Sequence, residues 1–316
     1  MVNSVSLNVG PGEVVGLVGE SGSGKSVTCK AILGLVPPPG AILSGQILFD
    51  RHDLARMGPK QLRHIRGSEI AMVFQDPMSS LNPLFTVGDQ IVEVIVRHTG
   101  DSRRKAWARA VALLDRVGIP SAAKRIKAYP HELSGGMRQR VMIAIALSGK
   151  PRLLLADEPT TALDVTIQDQ ILFLLTDIRR ETDMAMILVS HDLGVIAQAC
   201  DTVAVMYAGY LVEVAKIDEL FAHPRHPYTR ALLEAMPRLD PDGTHEDLKA
   251  IVGQPPEAGD LAAGCPFVPR CSAAQAECTT VAMELLPFRP DHHTACPFAL
   301  DGGDARYRPT AEPTES

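Results

Sequence analysis

Short apolar, β-branched runs alternate with stretches of helical period along the first two-thirds of this chain. Glu13-Val-Val-Gly-Leu-Val18 reads as a buried strand, and Val27-Thr-Cys-Lys-Ala-Ile-Leu33 as the first turns of a helix. Beyond the loop Pro37-Pro-Pro-Gly40, the segments Gly45-Gln-Ile-Leu-Phe-Asp50 and Ile70-Ala-Met-Val-Phe74 are strand-like, the second ending at Gln75-Asp76-Pro77. From Thr86 to about Ser148 the pattern turns helical, with Trp107, Val111, Leu114 and Val117 at the three- and four-residue steps of one buried face. Strand signals return at Pro151-Arg-Leu-Leu-Leu-Ala156 and Met184-Ala-Met-Ile-Leu-Val189, then as a strand pair over Thr202 to Val214 hinged at Gly209. Strands alternating with helices predict an α/β fold whose parallel sheet is covered on both faces, with the helical stretch of about 80–150 inserted beside it.

After about Phe221 the composition shifts, and proline, glycine and charge dominate Pro237 to Asp260, as in an irregular connector. Gly302 to Ser316 is polar and predicted to be disordered. The 316 residues, 46% apolar and 22% charged, suffice for one large domain plus a smaller one. A net charge of −6 without a basic stripe argues against a nucleic-acid binder. The chain shows no apolar run of membrane-spanning length and no signal-peptide start, so a cytoplasmic protein is expected, any membrane span being supplied by other chains. Cys29 and Cys200 sit in apolar or helical settings and read as packed thiols, whereas Cys265, Cys271, Cys278 and Cys296 crowd one C-terminal segment. In a reducing compartment that crowding suggests metal before disulfide.

The most informative stretch is Gly19-Glu20-Ser21-Gly22-Ser23-Gly24-Lys25-Ser26, a G-x-x-x-x-G-K-[S/T] loop between a strand and a helix. Its glycines let backbone N–H groups curl around an anion at a helix N-terminus; Lys25 would reach the terminal phosphates and Ser26 would hold Mg²⁺. Leu153-Leu-Leu-Ala-Asp157-Glu158-Pro159 is an apolar strand that delivers two carboxylates, one for Mg²⁺ and one able to act as general base. Between them, Leu133-Ser134-Gly135-Gly136-Met137 opens a helical run with free N–H groups, either a second anion loop or a simple cap.

With these motifs in this order, the chain resembles the ATP-binding subunit of an ABC transporter. Walker A (Gly19–Ser26), Q-loop (Gln75), signature (Leu133–Met137), Walker B (Leu153–Glu158), D-loop (Ala162-Leu163-Asp164) and H-loop (His191) all occur, covering residues 1 to about 220. The resemblance implies a P-loop NTPase with a RecA-like parallel sheet core, an ATP-binding domain over 1–222, a connector over 223–260, a small irregular four-cysteine region over 261–300 and a disordered tail over 301–316. It implies that Asp157, Ser26 and Gln75 serve Mg²⁺, that Glu158 is the base, and that His191 holds the γ-phosphate and water. Asp164 would couple the two sites of a head-to-tail dimer, in which Ser134, Gly135 and Gly136 meet the nucleotide of the opposite subunit. Met137 departs from the commoner Gln of the signature. The family also carries an aromatic residue ahead of Walker A that stacks on adenine, and none precedes Gly19 here. Either the start is assigned too late, which the likeness of Val2 to Val9 to the middle of the family's opening favours, or adenine is held less well.

Asp76-Pro-Met-Ser-Ser-Leu-Asn-Pro83 with Thr86-Val-Gly-Asp-Gln-Ile91, and His223-Pro-Arg-His-Pro-Tyr-Thr-Arg-Ala-Leu-Leu233, resemble oligopeptide and dipeptide importers. That implies a peripheral subunit at the cytoplasmic face of the inner membrane. Its partners would be a second ATPase subunit, two permeases and an extracytoplasmic peptide-binding protein. An exposed apolar loop at Met78, Leu81 and Phe85 would dock a permease helix, ordinary packing between subdomains being the competing reading for any one of them. Five, six and seventeen residues separate the four cysteines, unlike the paired spacing of a zinc ribbon. Four thiolates on irregular loops can hold Zn²⁺ or a [4Fe–4S] cluster. Resemblance to importers with the same pattern favours the cluster, in a structural role, with Zn²⁺ the alternative and free thiols the plainer reading. His292 and His293 could replace a ligand but read better as exposed loop residues. A soluble ATPase of translation or DNA repair is the competing class, opposed by the lack of a second cassette or a long coiled coil; a regulatory module with little turnover is opposed by Glu158 and His191.

Overall fold

The computed structural model describes residues 1–161, 163–236, 250–256 and 263–298; Ala162 of the D-loop, residues 237–249 and 257–260 of the connector and the tail at 301–316 lie outside the described residues. The chain divides into two compact units, one of residues 8–17 and 25–201, the other of 1–7, 18–24 and the described part of 202–316.

The first unit is built on β1 (Val14–Val18), followed by α1 (Lys25–Ile32), the short strands β2 (Leu48–Phe49) and β3 (His52–Asp53), α2 (Pro59–Ile65) and β4 (Ile70–Val73). The helical insertion comprises α3 (Pro77–Ser80), α4 (Val87–Thr99), α5 (Arg103–Arg116), α6 (Ala122–Arg125) and α7 (Gly135–Ser148). The chain then returns through β5 (Leu153–Asp157), α8 (Val165–Thr182), β6 (Ala185–Ser190) and α9 (Leu193–Ala199). The strands lie in the order β4-β5-β6-β1, and β4, β5 and β6 run parallel. Every residue of β1, β4 and β6 is buried, as expected of a sheet covered on both faces.

The strand expected at 45–50 shrinks to the two-residue β2, paired antiparallel with β3; Gly45, Gln46 and Asp50 are exposed and Ile47 is half-buried. On α5 the buried stripe is Ala106, Ala110 and Leu114, continued by Val117, while Trp107 and Val111 are half-buried. Alanines let α5 approach α4 and α7 closely, so the larger residues fall to the edge of the contact. Helix α7 has no apolar stripe at all, since it is buried nearly all round and packs on β4.

The second unit holds β7 (Thr202–Tyr207), β8 (Tyr210–Lys216), α10 (Ile217–Ala222), α11 (Pro227–Glu234), β9 (Leu286–Arg289) and β10 (His292–Thr294). Its strand order is β7-β8-β10-β9, with each of these pairs antiparallel. Two expectations change here. The start of the presumed connector folds as α11, with His226 as N-cap, Pro227 in its first turn, and Tyr228, Thr229 and Leu233 buried. His292 is no exposed loop residue: it is fully buried in β10, with Nε2 2.8 Å from Glu213 Oε1. The same Glu213 carboxylate accepts the backbone N–H groups of Arg225 at 2.7 Å and His226 at 2.8 Å, so one buried acid ties β8, α11 and β10 together.

Where α7 ends, the backbone makes a close approach. A Cβ on Gly149 would stand 1.7 Å from the carbonyl oxygen of Gly67, in the turn before β4. Gly149→Ala is therefore expected to destabilise the protein by about 2 kcal/mol, read as a lower urea midpoint; an unchanged midpoint would show that the two turns can part freely.

Candidate active site

The loop 19–24 follows β1 and is shaped by close backbone contact. Gly19 has φ 150, and a Cβ there would lie 2.1 Å from the carbonyl oxygen of Met206, so only glycine fits. The Gly209 N–H donates to the Ser23 carbonyl at 2.9 Å, and the Glu20 N–H donates to the Tyr228 hydroxyl at 2.9 Å. Ser21 and Gly22 are exposed, whereas Ser23, Gly24 and Lys25 are buried.

Lys25 and Ser26 open α1. The Ser26 hydroxyl donates to Asp157 Oδ1 at 2.8 Å, which joins the start of that helix to the end of β5. Asp157 is buried, and burial together with the neighbouring Glu158 carboxylate lifts its pKa despite the Ser26 hydrogen bond and the nearby Lys30 and Lys25. A buried carboxylate beside a hydroxyl is a donor set that suits Mg²⁺.

Glu158 adopts φ 47, a left-handed conformation unusual for a non-glycine residue, while its N–H still donates to the Val189 carbonyl at 3.1 Å. Its carboxylate is gripped from three directions. Oε2 accepts from Gln75 Nε2 at 2.9 Å and from the Thr161 hydroxyl at 2.8 Å, and Oε1 lies 3.4 Å from His191 Nδ1. Burial pushes the Glu158 pKa up, but the bonds from Thr161 and His191 and the charge of Lys25 outweigh it, so the group titrates below the ordinary glutamate range. Gln75, Glu158 and His191 thus meet around one carboxylate. Thr161, a direct partner of the carboxylate, carries no motif signal beyond its position three residues after Glu158.

The signature residues lie at the start of α7, where Ser134 is the N-cap and its hydroxyl accepts from the Met137 N–H at 3.3 Å. Ser134 and Gly135 are exposed and Gly136 is half-buried. One turn on, the buried Gln139 donates from Nε2 to the Pro159 carbonyl at 2.6 Å, a link from the signature helix to Walker B that has no counterpart in the motif list. Asp164 caps α8 through the Ile167 N–H at 3.0 Å. Of the residues expected in an apolar docking loop, Met78 and Phe85 are exposed, with Leu84 beside them, but Leu81 is buried at 3% exposure.

Residues 2–161 match the ABC transporter family, and residues 212–278 match the oligopeptide/dipeptide transporter C-terminal region. The chain is 49% identical over 294 residues to the dipeptide transport ATP-binding protein DppD of Bacillus subtilis (strain 168), covering 93% of this chain and 87% of that one. It is 52% identical over 274 residues to the oligopeptide transport ATP-binding protein OppD of the same strain, covering 86% of this chain and 76% of the relative. The chain belongs to the oligopeptide/dipeptide branch of the ABC transporter ATP-binding family. Among solved structures, a dimeric ATP-binding cassette in a post-hydrolysis state bound to ADP and Pi superposes with a TM-score of 0.62 at 29% identity, over 68% of this chain and 90% of that one. The fold is that of an ABC-type ATPase.

The described C-terminal residues bring the four expected cysteines to one pocket. Cys265, Cys271, Cys278 and Cys296 line one pocket with His226, Phe267 and Phe298. The Cys265 N–H donates to the Cys278 carbonyl at 2.9 Å. Burial pushes the thiols of Cys265 and Cys271 up, the other thiols adding to it, and Cys296 is pushed up to about 12 in the same way. Among the described residues, no group of three or more His, Cys, Asp or Glu side chains stands at metal-holding geometry. Four thiols lining one pocket disfavour one another's charged forms. Cys29 and Cys200 are buried apart, as packed thiols should be.

Gly19→Ala is expected to force the loop away from Met206 and to weaken Mg-ATP binding by about tenfold or more in an equilibrium titration. Wild-type affinity would show that the loop does not depend on that contact.

Proposed function

We propose that this chain is the ATP-hydrolysing subunit of an importer that energises uptake of oligopeptides or dipeptides. The observation that carries the reading is the ionised Glu158 carboxylate, held by Gln75, Thr161 and His191 beside the Ser26–Asp157 pair. Ser26 and Asp157, with Gln75 nearby, would hold Mg²⁺, which when bound offsets charge on the transferring phosphoryl group. Lys25 binds the terminal phosphates, and the N–H groups of the loop 19–24 bind the rest. Glu158 accepts the proton of the attacking water; Gln75 and His191 orient that water and the γ-phosphate.

Exposure of Ser134 and Gly135 supports their service to a nucleotide on a second ATPase subunit, an arrangement consistent with the dimeric cassette bound to ADP and Pi. The other partners are two membrane permeases and an extracytoplasmic peptide-binding protein; nucleic acid is not a partner. The reading assigns the chain peripherally to the cytoplasmic face of the inner membrane; among the described residues no helix is long and apolar enough to cross a membrane. The exposed Met78, Leu84 and Phe85 suit a permease helix laid on the loop after Gln75. The four cysteines carry a [4Fe–4S] cluster, with Zn²⁺ the alternative, and the bound group staples a segment with few apolar residues of its own. Residues 1–222 are assigned to the ATP-binding domain and 261–300 to the cysteine region.

Glu158→Gln is expected to lower kcat by about 100-fold or more while ATP binding persists; brisk turnover would remove Glu158 from the role of base. Anaerobically purified protein is expected to be brown and to hold about four irons per chain, and replacing Cys278 by Ser to bleach it. Zinc without iron would overturn the cluster in favour of its alternative.

A further inference from the structure

Glu20 is the one acidic residue of the phosphate loop, and a free carboxylate there would repel a polyphosphate. The structure supplies it with a partner from the cysteine segment. Arg270 donates from Nη1 to Glu20 Oε2 at 2.6 Å and from Nη2 to Oε1 at 3.0 Å, a two-pronged fork that fixes both carboxylate oxygens. The Arg270 side chain is 3% exposed. It is itself held, since Nε donates to the Val252 carbonyl at 3.1 Å, Nη2 to the Ile251 carbonyl at 3.3 Å and Nη1 to the Tyr207 hydroxyl at 3.3 Å. The backbone of Glu20 is tied as well, through the bond from its N–H to the Tyr228 hydroxyl. Tyr207, Tyr228 and Phe267 pack with ring centroids 4.5 to 5.3 Å apart, which leaves this group little freedom to rearrange.

We propose that Arg270 is a positioning residue for ATP binding, which neutralises and orients Glu20 so that the phosphate loop accepts a triphosphate. The inference rests on the reading of that loop as the ATP site. Arg270 closes the 3₁₀ turn Val268–Arg270 and directly precedes Cys271. The fold of the cysteine segment therefore decides whether the guanidinium reaches Glu20, and nucleotide affinity is coupled to that segment. By linkage, bound ATP stabilises the segment in return.

The test is equilibrium binding of Mg-ATP to the full chain, with Lys25→Ala as the control for the site itself. Arg270→Ala is expected to weaken binding about tenfold, with the loss shrinking as salt is added. Adding Glu20→Gln to Arg270→Ala should bring affinity back to within about threefold of wild type, because the carboxylate that repels the phosphates is gone. Arg270→Lys, which keeps the charge but not the fork, should fall between. A purely structural role would lower the melting temperature, but Glu20→Gln could not then restore affinity. If Arg270→Ala does not fold, Arg270→Gln keeps the stem and one amide and should show the same loss and the same rescue. Wild-type affinity in the Arg270 variants, or a double variant no better than the single one, overturns the proposal. A wild-type protein that binds ATP no better than Lys25→Ala would instead overturn the site reading, a result distinct from binding that the Arg270 variants share.

Discussion

The parallel pairing of β4, β5 and β6 governs the geometry of the catalytic edge. Val73 lies beside Ala156, and Asp157 beside Val189, so the three strands finish nearly level. Their backbones are buried and must satisfy every N–H and C=O within the ladder, which leaves no room for slippage. Gln75, Glu158 and His191 follow the three strand ends, so they meet around one carboxylate. The left-handed conformation of Glu158 is the turn that lets its N–H stay with Val189 while its side chain swings toward Gln75 and His191. Strain of this kind persists only where the surrounding bonds over-determine it, and here three side chains do so.

A second constraint organises the other unit. Glu213 is fully buried, and a buried carboxylate is tolerated only with donors around it. It has the Arg225 and His226 N–H groups and the His292 ring. Burial pushes the His226 pKa down to about 4, so its ring is neutral at physiological pH and can accept the Tyr228 N–H at 3.1 Å as the cap of α11. The acid thus roots β10 and α11 on β8, and the cysteine segment is framed by a sheet and a helix rather than left to its own sparse apolar residues. Arg225 adds a stacked contact 4.0 Å from the Phe288 ring centroid, on the strand that pairs with β10.

The cysteine segment and the phosphate loop belong to one unit and meet directly. The segment's turn at Val268–Arg270 ends in the guanidinium that grips Glu20, and α11 contributes the hydroxyl that takes the Glu20 N–H. The phosphate loop is therefore held in part by residues that enter the chain long after the nucleotide motifs have ended.

Sequence by itself determined the phosphate loop, the acidic strand end, the signature cap and their order, and with them the α/β fold. These features are written in contiguous residues, because a glycine forced to φ 150, a β-branched buried run or an N-cap serine is a local requirement of the backbone. The tertiary structure decided what lies between distant positions. The Arg270–Glu20 fork spans 250 residues, and the His292–Glu213 contact 79. The burial of Leu81, the retreat of Trp107 to the edge of α5, and the helix within the presumed connector were equally invisible in the pattern. Each depends on which surfaces meet and in what register, and composition carries no measure of either. A histidine near a cysteine reads the same whether it faces water or a buried acid; only the pairing of β10 with β8 places His292 on Glu213.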